Sequence, residues 1–174
     1  MTSEGAETMV RMGEFSVSRT PGHVLASIGL GSCIGLVLFE PSRSLLGLAH
    51  IVLPSSEGNP DAMVGKFADR AIPALIEQMT SLGARRPMIE AVLVGGAQMF
   101  ALKTASTLDV GRRNEEAARQ ALTSAGVKVR AAATGGNKGR TVRAYVDTGV
   151  ITVKEPGAVE VELFPNAKGV RVTR

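Results

Sequence analysis

Apolar residues recur along this chain with two different periods, and the switches between them mark out its elements. Glu14 to Ser18 alternates polar with apolar and is stopped by Thr20-Pro21-Gly22, which predicts an edge strand. His23 to Ile28 reads as an incoming strand. Ile34 to Phe39 and Leu45 to Leu53 are continuous apolar runs separated by Glu40-Pro41-Ser42-Arg43-Ser44, the pattern of a β-hairpin. Residues 54–60 are a loop by composition, and Asp61 reads as a helix N-cap. Apolar residues at 67, 71, 72, 75, 76 and 79 fall on one helical face, with a kink or restart predicted at Pro73 and an end at Gly83.

The second half repeats this grammar. Ile89 to Val94 predicts a buried strand running into Gly95-Gly96, and residues 101–110 read as a loop. Asn114 stands as the cap of a helix over 115–125, whose apolar positions 117, 118, 121, 122 and 125 face one way before Gly126 closes it. Val127 to Ala132 is a further strand, followed by the glycine-dense loop Thr134 to Arg140. Thr141 to Asp147 and Val150 to Lys154 alternate around Asp147-Thr148-Gly149, a hairpin turn. Val159 to Phe164 either adds a short strand or hangs free. At least six strands interleaved with two helices predict a layered α/β or α+β domain. Residues 1–12 read as a mobile N-terminal segment, 13–164 as one domain and 165–174 as a tail.

Composition narrows the function. A chain of 174 residues lies in the one-domain range of about 100 to 200. Its single cysteine forms no internal disulfide, and two histidines with one thiol make a poor zinc set, so no structural metal is expected. The N-terminus lacks the basic-then-apolar pattern of a secretory signal, and no apolar run is long enough to span a membrane. Cytoplasmic residence is the expectation, where a free thiol stays reduced. The formal charge is only +4, the basic residues are scattered or paired, and aromatics make up 3% of the chain, which argues against a nucleic-acid surface. Mild basicity instead suits steering toward an acidic protein partner.

Candidate chemistry gathers between Ser27 and His50, where the only cysteine and one of the two histidines stand. A reactive thiol needs a base near it, and the base needs a third polar group to hold its tautomer. Cys33 just precedes the first run of the hairpin and His50 lies late in the second, so pairing the runs brings them together. Ser27, on the incoming strand, supplies a hydroxyl. Residue types alone leave two readings open: a cysteine–histidine pair, or a small buried thiol beside a satisfied core histidine.

Gly29-Leu30-Gly31-Ser32-Cys33 followed by Ala49-His50-Ile51-Val52-Leu53-Pro54 resembles the signature of the CheD family, the chemoreceptor glutamine deamidases of bacterial and archaeal chemotaxis. The likeness continues through Gly95 to Phe100, Val110 to Asn114, Thr134 to Arg140 and Asp147 to Gly149, covering roughly residues 13 to 154. It implies a three-layer α/β/α sandwich around a mixed, largely antiparallel sheet, with the loop 134–140 near the active-site cleft. It also implies a reaction in which Cys33 attacks a receptor glutamine, His50 moves the proton and Ser27 orients His50, with no metal or organic cofactor. Ser27 stands where the family usually has threonine, so the hydroxyl is kept and the rotamer-restricting methyl is not. His23, beside Pro21-Gly22, is a rival base outside the motif. The resemblance further implies chemoreceptors as substrates and a CheC-type phosphatase as a binding partner. A methylesterase on the same residues and a non-catalytic regulator are the alternatives.

Overall fold

The computed structural model describes residues 5–59, 63–99 and 109–165. The expected hairpin is its centre: β4 (Ile34–Glu40) pairs antiparallel with β5 (Leu45–Ile51) from Glu40↔Leu45 to Ile34↔Ile51. All seven residues of each strand are buried. A strand covered on both faces has no need to alternate, and this is why both read as continuous apolar runs.

Ten strands, two α-helices and three single-turn 3-10 helices are found among the described residues. Before the hairpin come β1 (Glu7–Met9), β2 (Phe15–Ser18) and β3 (Val24–Leu30); after it come α1 (Ala68–Ser81), β6 (Glu90–Gly95), α2 (Val110–Ser124), β7 (Lys128–Thr134), β8 (Arg140–Tyr145), β9 (Ile151–Lys154) and β10 (Val161–Phe164). They form two five-stranded sheets, ordered β2-β5-β4-β6-β7 and β1-β3-β8-β9-β10. Each sheet holds one parallel pair, β6 with β7 and β1 with β3, and is otherwise antiparallel.

The class is α+β, and the layer order corrects the expected α/β/α sandwich. Ile34, Leu36, Leu38, Ala49 and Ile51 pack with α1 and α2 on one face of the central sheet. Val37, Phe39, Leu46, Leu48, Val92 and Val94 pack on its other face against Leu25, Leu30, Val142, Ala144, Ile151 and Val153 of the second sheet. The layers are therefore helix, sheet, sheet. Strands β8 and β9 alternate buried with less buried positions, as antiparallel strands with one solvated face do, and that apolar face covers the central sheet in place of a helix.

Two more expectations change. Helix α1 runs unbroken through Pro73. An interior proline costs about 3 kcal/mol, whereas Ile72, Leu75, Ile76 and Met79 are each fully buried, a gain of about 1.5–3 kcal/mol apiece. Packing wins. The segment read as mobile up to residue 12 contains β1, which pairs in parallel with β3, and Val10 is only 2% exposed. The Asp61 cap, most of the 101–110 loop and the tail beyond Pro165 lie outside the described residues. Among the described residues no helix is long and apolar enough to cross a membrane.

Candidate active site

The register of the hairpin sets the relation between Cys33 and His50. His50 lies opposite Gly35, so the next position on its face across the pair is Cys33, one step beyond Ile34↔Ile51. Side chains two residues apart on a strand share a face, and diagonal partners of this kind stand about 7–8 Å apart, within reach of an imidazole. Both point toward the second sheet: Cys33 packs against the cluster between the sheets, and His50 is buried at 5% exposure. Cys33 is half-buried and unpaired.

Close backbone packing shapes the cysteine loop. The Cys33 carbonyl accepts from Gly96 N–H at 2.9 Å and the Gly31 carbonyl from Ala97 N–H at 2.8 Å. A side chain at Gly95 would collide with the Cys33 carbonyl, since its Cβ would stand only 2.2 Å from that oxygen, and Gly95 also adopts a φ of +110°. The glycine-dense loop joins the same cluster through Gly135 N–H to the Gly95 carbonyl and Gln98 N–H to the Gly136 carbonyl. Loop 134–140 thus lies beside the cysteine loop.

His50 is oriented by a group that residue types could not reveal. Its Nδ1 is 3.2 Å from the carbonyl oxygen of Val10, which only accepts, so Nδ1 carries the proton and Nε2 keeps its lone pair. Ser27 Oγ donates to the same carbonyl at 2.7 Å, from the facing sheet. Ser27 and His50 therefore meet at Val10 O and are not hydrogen-bonded to each other among the described contacts. Val10 itself is held by its N–H to the Ala26 carbonyl at 2.7 Å, where the chain leaves β1 to cross toward β2. His23 is placed elsewhere: its ring nitrogens share hydrogen bonds with Ser18 Oγ at 2.6 Å and Thr8 Oγ1 at 2.7 Å.

Burial sets the charge state of the pair. It pushes the Cys33 thiol above its ordinary value of 9.0, with a partial offset from the residue's own backbone N–H. It holds the His50 imidazole below its ordinary 6.5, opposed by the Val10 hydrogen bond and by the charge of Glu14. Both shifts favour the neutral forms, a thiol at Cys33 and an unprotonated imidazole at His50.

Asn114 was expected to cap α2. It instead lies inside the helix, which begins at Val110, and is fully buried. Its Nδ2 donates to the Ser32 carbonyl and to the Val52 carbonyl, each at 2.9 Å. Among the described residues no group of three His, Cys, Asp or Glu side chains is placed to hold a metal ion.

Comparison with known proteins agrees with the motif. A family model described as CheD chemotactic sensory transduction matches residues 52–155, more than half of the chain. A protein of Archaeoglobus fulgidus named probable chemoreceptor glutamine deamidase CheD is 43% identical over 150 residues, covering 86% of this chain and 94% of its own. A Thermotoga maritima protein named chemoreceptor glutamine deamidase CheD is 37% identical over 152 residues, covering 87% and 94%. Alignments that long within 174 residues necessarily take in Ser27 to His50. A solved structure of the hypothetical protein YfiH from Bacillus licheniformis has a TM-score of 0.44 at 16% identity, covering 76% of this chain and 61% of that one, too loose a likeness to bear on the fold. On its motifs, its family-model match and its relatives along most of its length, the chain belongs to the CheD family of chemotactic sensory transduction proteins.

Proposed function

We propose that this protein is a chemoreceptor glutamine deamidase with Cys33 as nucleophile and His50 as its base. The observation that carries this reading is the placement of the two side chains on one face of the hairpin, with His50 Nδ1–H given to Val10 so that Nε2 is the basic nitrogen. Family membership and the names of the relatives point to chemoreceptor glutamine as the substrate.

The chemistry balances with water as the only co-reactant. Cys33 Sγ attacks the carbonyl carbon of a receptor glutamine side chain while His50 Nε2 takes the thiol proton. The oxyanion falls near the Cys33 N–H, the amide that already lies against the sulfur. His50 then gives its proton to the leaving nitrogen, ammonia departs and a thioester remains. Water attacks that thioester, His50 accepts a proton from the water and returns it to the sulfur, and the product is glutamate. The cytoplasm is where a receptor's signalling region and a reduced thiol meet.

The test is mass spectrometry of a chemoreceptor cytoplasmic fragment, in its glutamine form and separately as its methyl ester, after incubation with the protein. Glutamine converted to glutamate is the expected result. Loss of methyl groups alone would make the protein an esterase, through the same acyl-enzyme. No change in either substrate, with binding to a CheC-type phosphatase retained, would make it a regulator.

Two further outcomes follow from the site. Since neutral His50 is the working form and burial lowers its pKa, kcat/KM should hold level through neutral pH and fall on an acid limb centred below 6.5. The same shift makes the unfolded chain take up the proton first, so stability is lost as pH falls below 6.5 toward the folded-state value. An acid limb above 6.5 would show that a different group titrates. Ser27→Ala removes a donor to Val10 O but leaves that carbonyl facing His50. Its expected cost is that of one neutral hydrogen bond, about 0.5–1.5 kcal/mol, or roughly two- to thirteenfold in kcat at most. A loss as large as that of the His50 variant would return the orienting role to Ser27 itself.

A further inference from the structure

We infer that Asn114 is a positioning residue for the Cys33–His50 pair, its carboxamide acting as the last rung between β4 and β5 and setting how far apart the two side chains stand. The inference rests on the reading of those two as a reacting pair.

The strands part at this point. Their last paired residues are Ile34 and Ile51. Antiparallel ladders bond at every second pair, so the next rung beyond Ile34 and Ile51 would join Ser32 to Leu53. Leu53 instead gives its N–H to the Lys66 carbonyl and its own carbonyl to Ala68 N–H, so the ladder stops there. The Asn114 amide spans the gap, donating one hydrogen to Ser32 O, immediately before Cys33, and the other to Val52 O, two residues after His50. It does so from the helix side, behind the face on which Cys33 and His50 meet.

Residue chemistry limits what else could stand there. Two converging carbonyls require two donors on one short side chain, which a carboxamide has, a hydroxyl half supplies and a carboxylate lacks. The two acceptors also fix which way the amide faces, because its oxygen turned toward them would meet only lone pairs. That oxygen, Oδ1, is buried without a hydrogen-bond partner among the described residues. Asparagine inside a helix and a buried orphan acceptor are both unfavourable for stability, so an apolar residue would serve the helix better. The site keeps the amide instead. The helix is brought close enough by Gly111, where an added Cβ would stand 2.5 Å from the Ala97 carbonyl oxygen.

The test needs no receptor. Cys33 is the only thiol, so its alkylation by iodoacetamide at neutral pH reports its activation directly. Wild type, Asn114→Ala, His50→Ala and the double variant are compared, with folding checked by thermal melts. The expected result is slowing by about ten- to a hundredfold in each single variant, since a displacement near 1 Å suffices for that, and no further slowing in the double variant. Asn114→Asp, of the same shape without donors when ionised, should behave like the alanine variant, and Asn114→Ser, with one donor, should fall between. Should the alanine variant fail to fold, the aspartate and serine variants decide. Alkylation of folded Asn114 variants at the wild-type rate, or slowing that multiplies with that of His50→Ala, would overturn the inference while leaving the pair intact. If His50→Ala itself alkylates like wild type, the paired reading fails and this inference goes with it.

Discussion

Cys33→Ala should abolish conversion of receptor glutamine to glutamate, lowering kcat by roughly four orders of magnitude or more, while the fold stays intact. The chain has no second thiol to take over. The structural cost is small because Cys33 is half-buried at the end of its strand and only packs against the edge of the core between the sheets. A stability change within about 1 kcal/mol is expected. Receptor binding should survive as well, since the side chain removed is a single sulfur atom and the loop around it is fixed by the Gly96 and Ala97 amides. Cys33→Ser should be nearly as inactive, because a neutral imidazole activates a hydroxyl far less readily than a thiol. Rates by mass spectrometry, set beside thermal melts and receptor affinity, check all of this. Turnover retained by folded Cys33→Ala would place the nucleophile elsewhere.

What the sequence made legible was the hairpin, and through it the shared face of Cys33 and His50. A polar turn between two apolar runs is a local signal, and antiparallel pairing then carries Cys33 to His50 without further information. Sheet membership was not local. The alternation in β8 and β9 says that one face is buried but not what covers it, so the second sheet was invisible and a helical layer was expected in its place. Val10 shows another limit. Its contribution is a carbonyl, which every residue has, in a short polar segment whose order comes from pairing with β3. Ser27, the residue type that reads as the orienting group, donates to the same Val10 oxygen that His50 meets. Asn114 misled for a physical reason too: asparagine ahead of an amphipathic run is the usual sign of a cap, and only tertiary packing tells that the helix has already begun.

His50→Gln should lower kcat by roughly 10²- to 10⁴-fold, the range for a lost general base, and should change the shape of the pH profile as well as its height. Glutamine can still donate to the Val10 carbonyl but cannot accept the thiol proton. With the titrating imidazole gone, the acid limb centred below 6.5 should disappear. What remains depends on thiolate formed by the solvent, and burial has raised the Cys33 pKa above 9.0, so the residual rate should climb tenfold per pH unit through the alkaline range. This partial alkaline recovery is why the loss is smaller than for Cys33→Ala, which no pH restores. The variant should also lose the part of its acid sensitivity that comes from a buried imidazole forced to stay neutral. A neutral pair and a preformed thiolate–imidazolium pair part company here. In the ion pair, wild-type thiol reactivity would be level from acid to neutral pH and His50→Gln would remove that plateau. In the neutral pair, there is no acid plateau to remove: alkylation of wild type rises as His50 loses its proton and then holds level through neutral pH. A level wild-type alkylation rate extending well into the acid range would show that the thiolate is already formed and that burial does not govern this site.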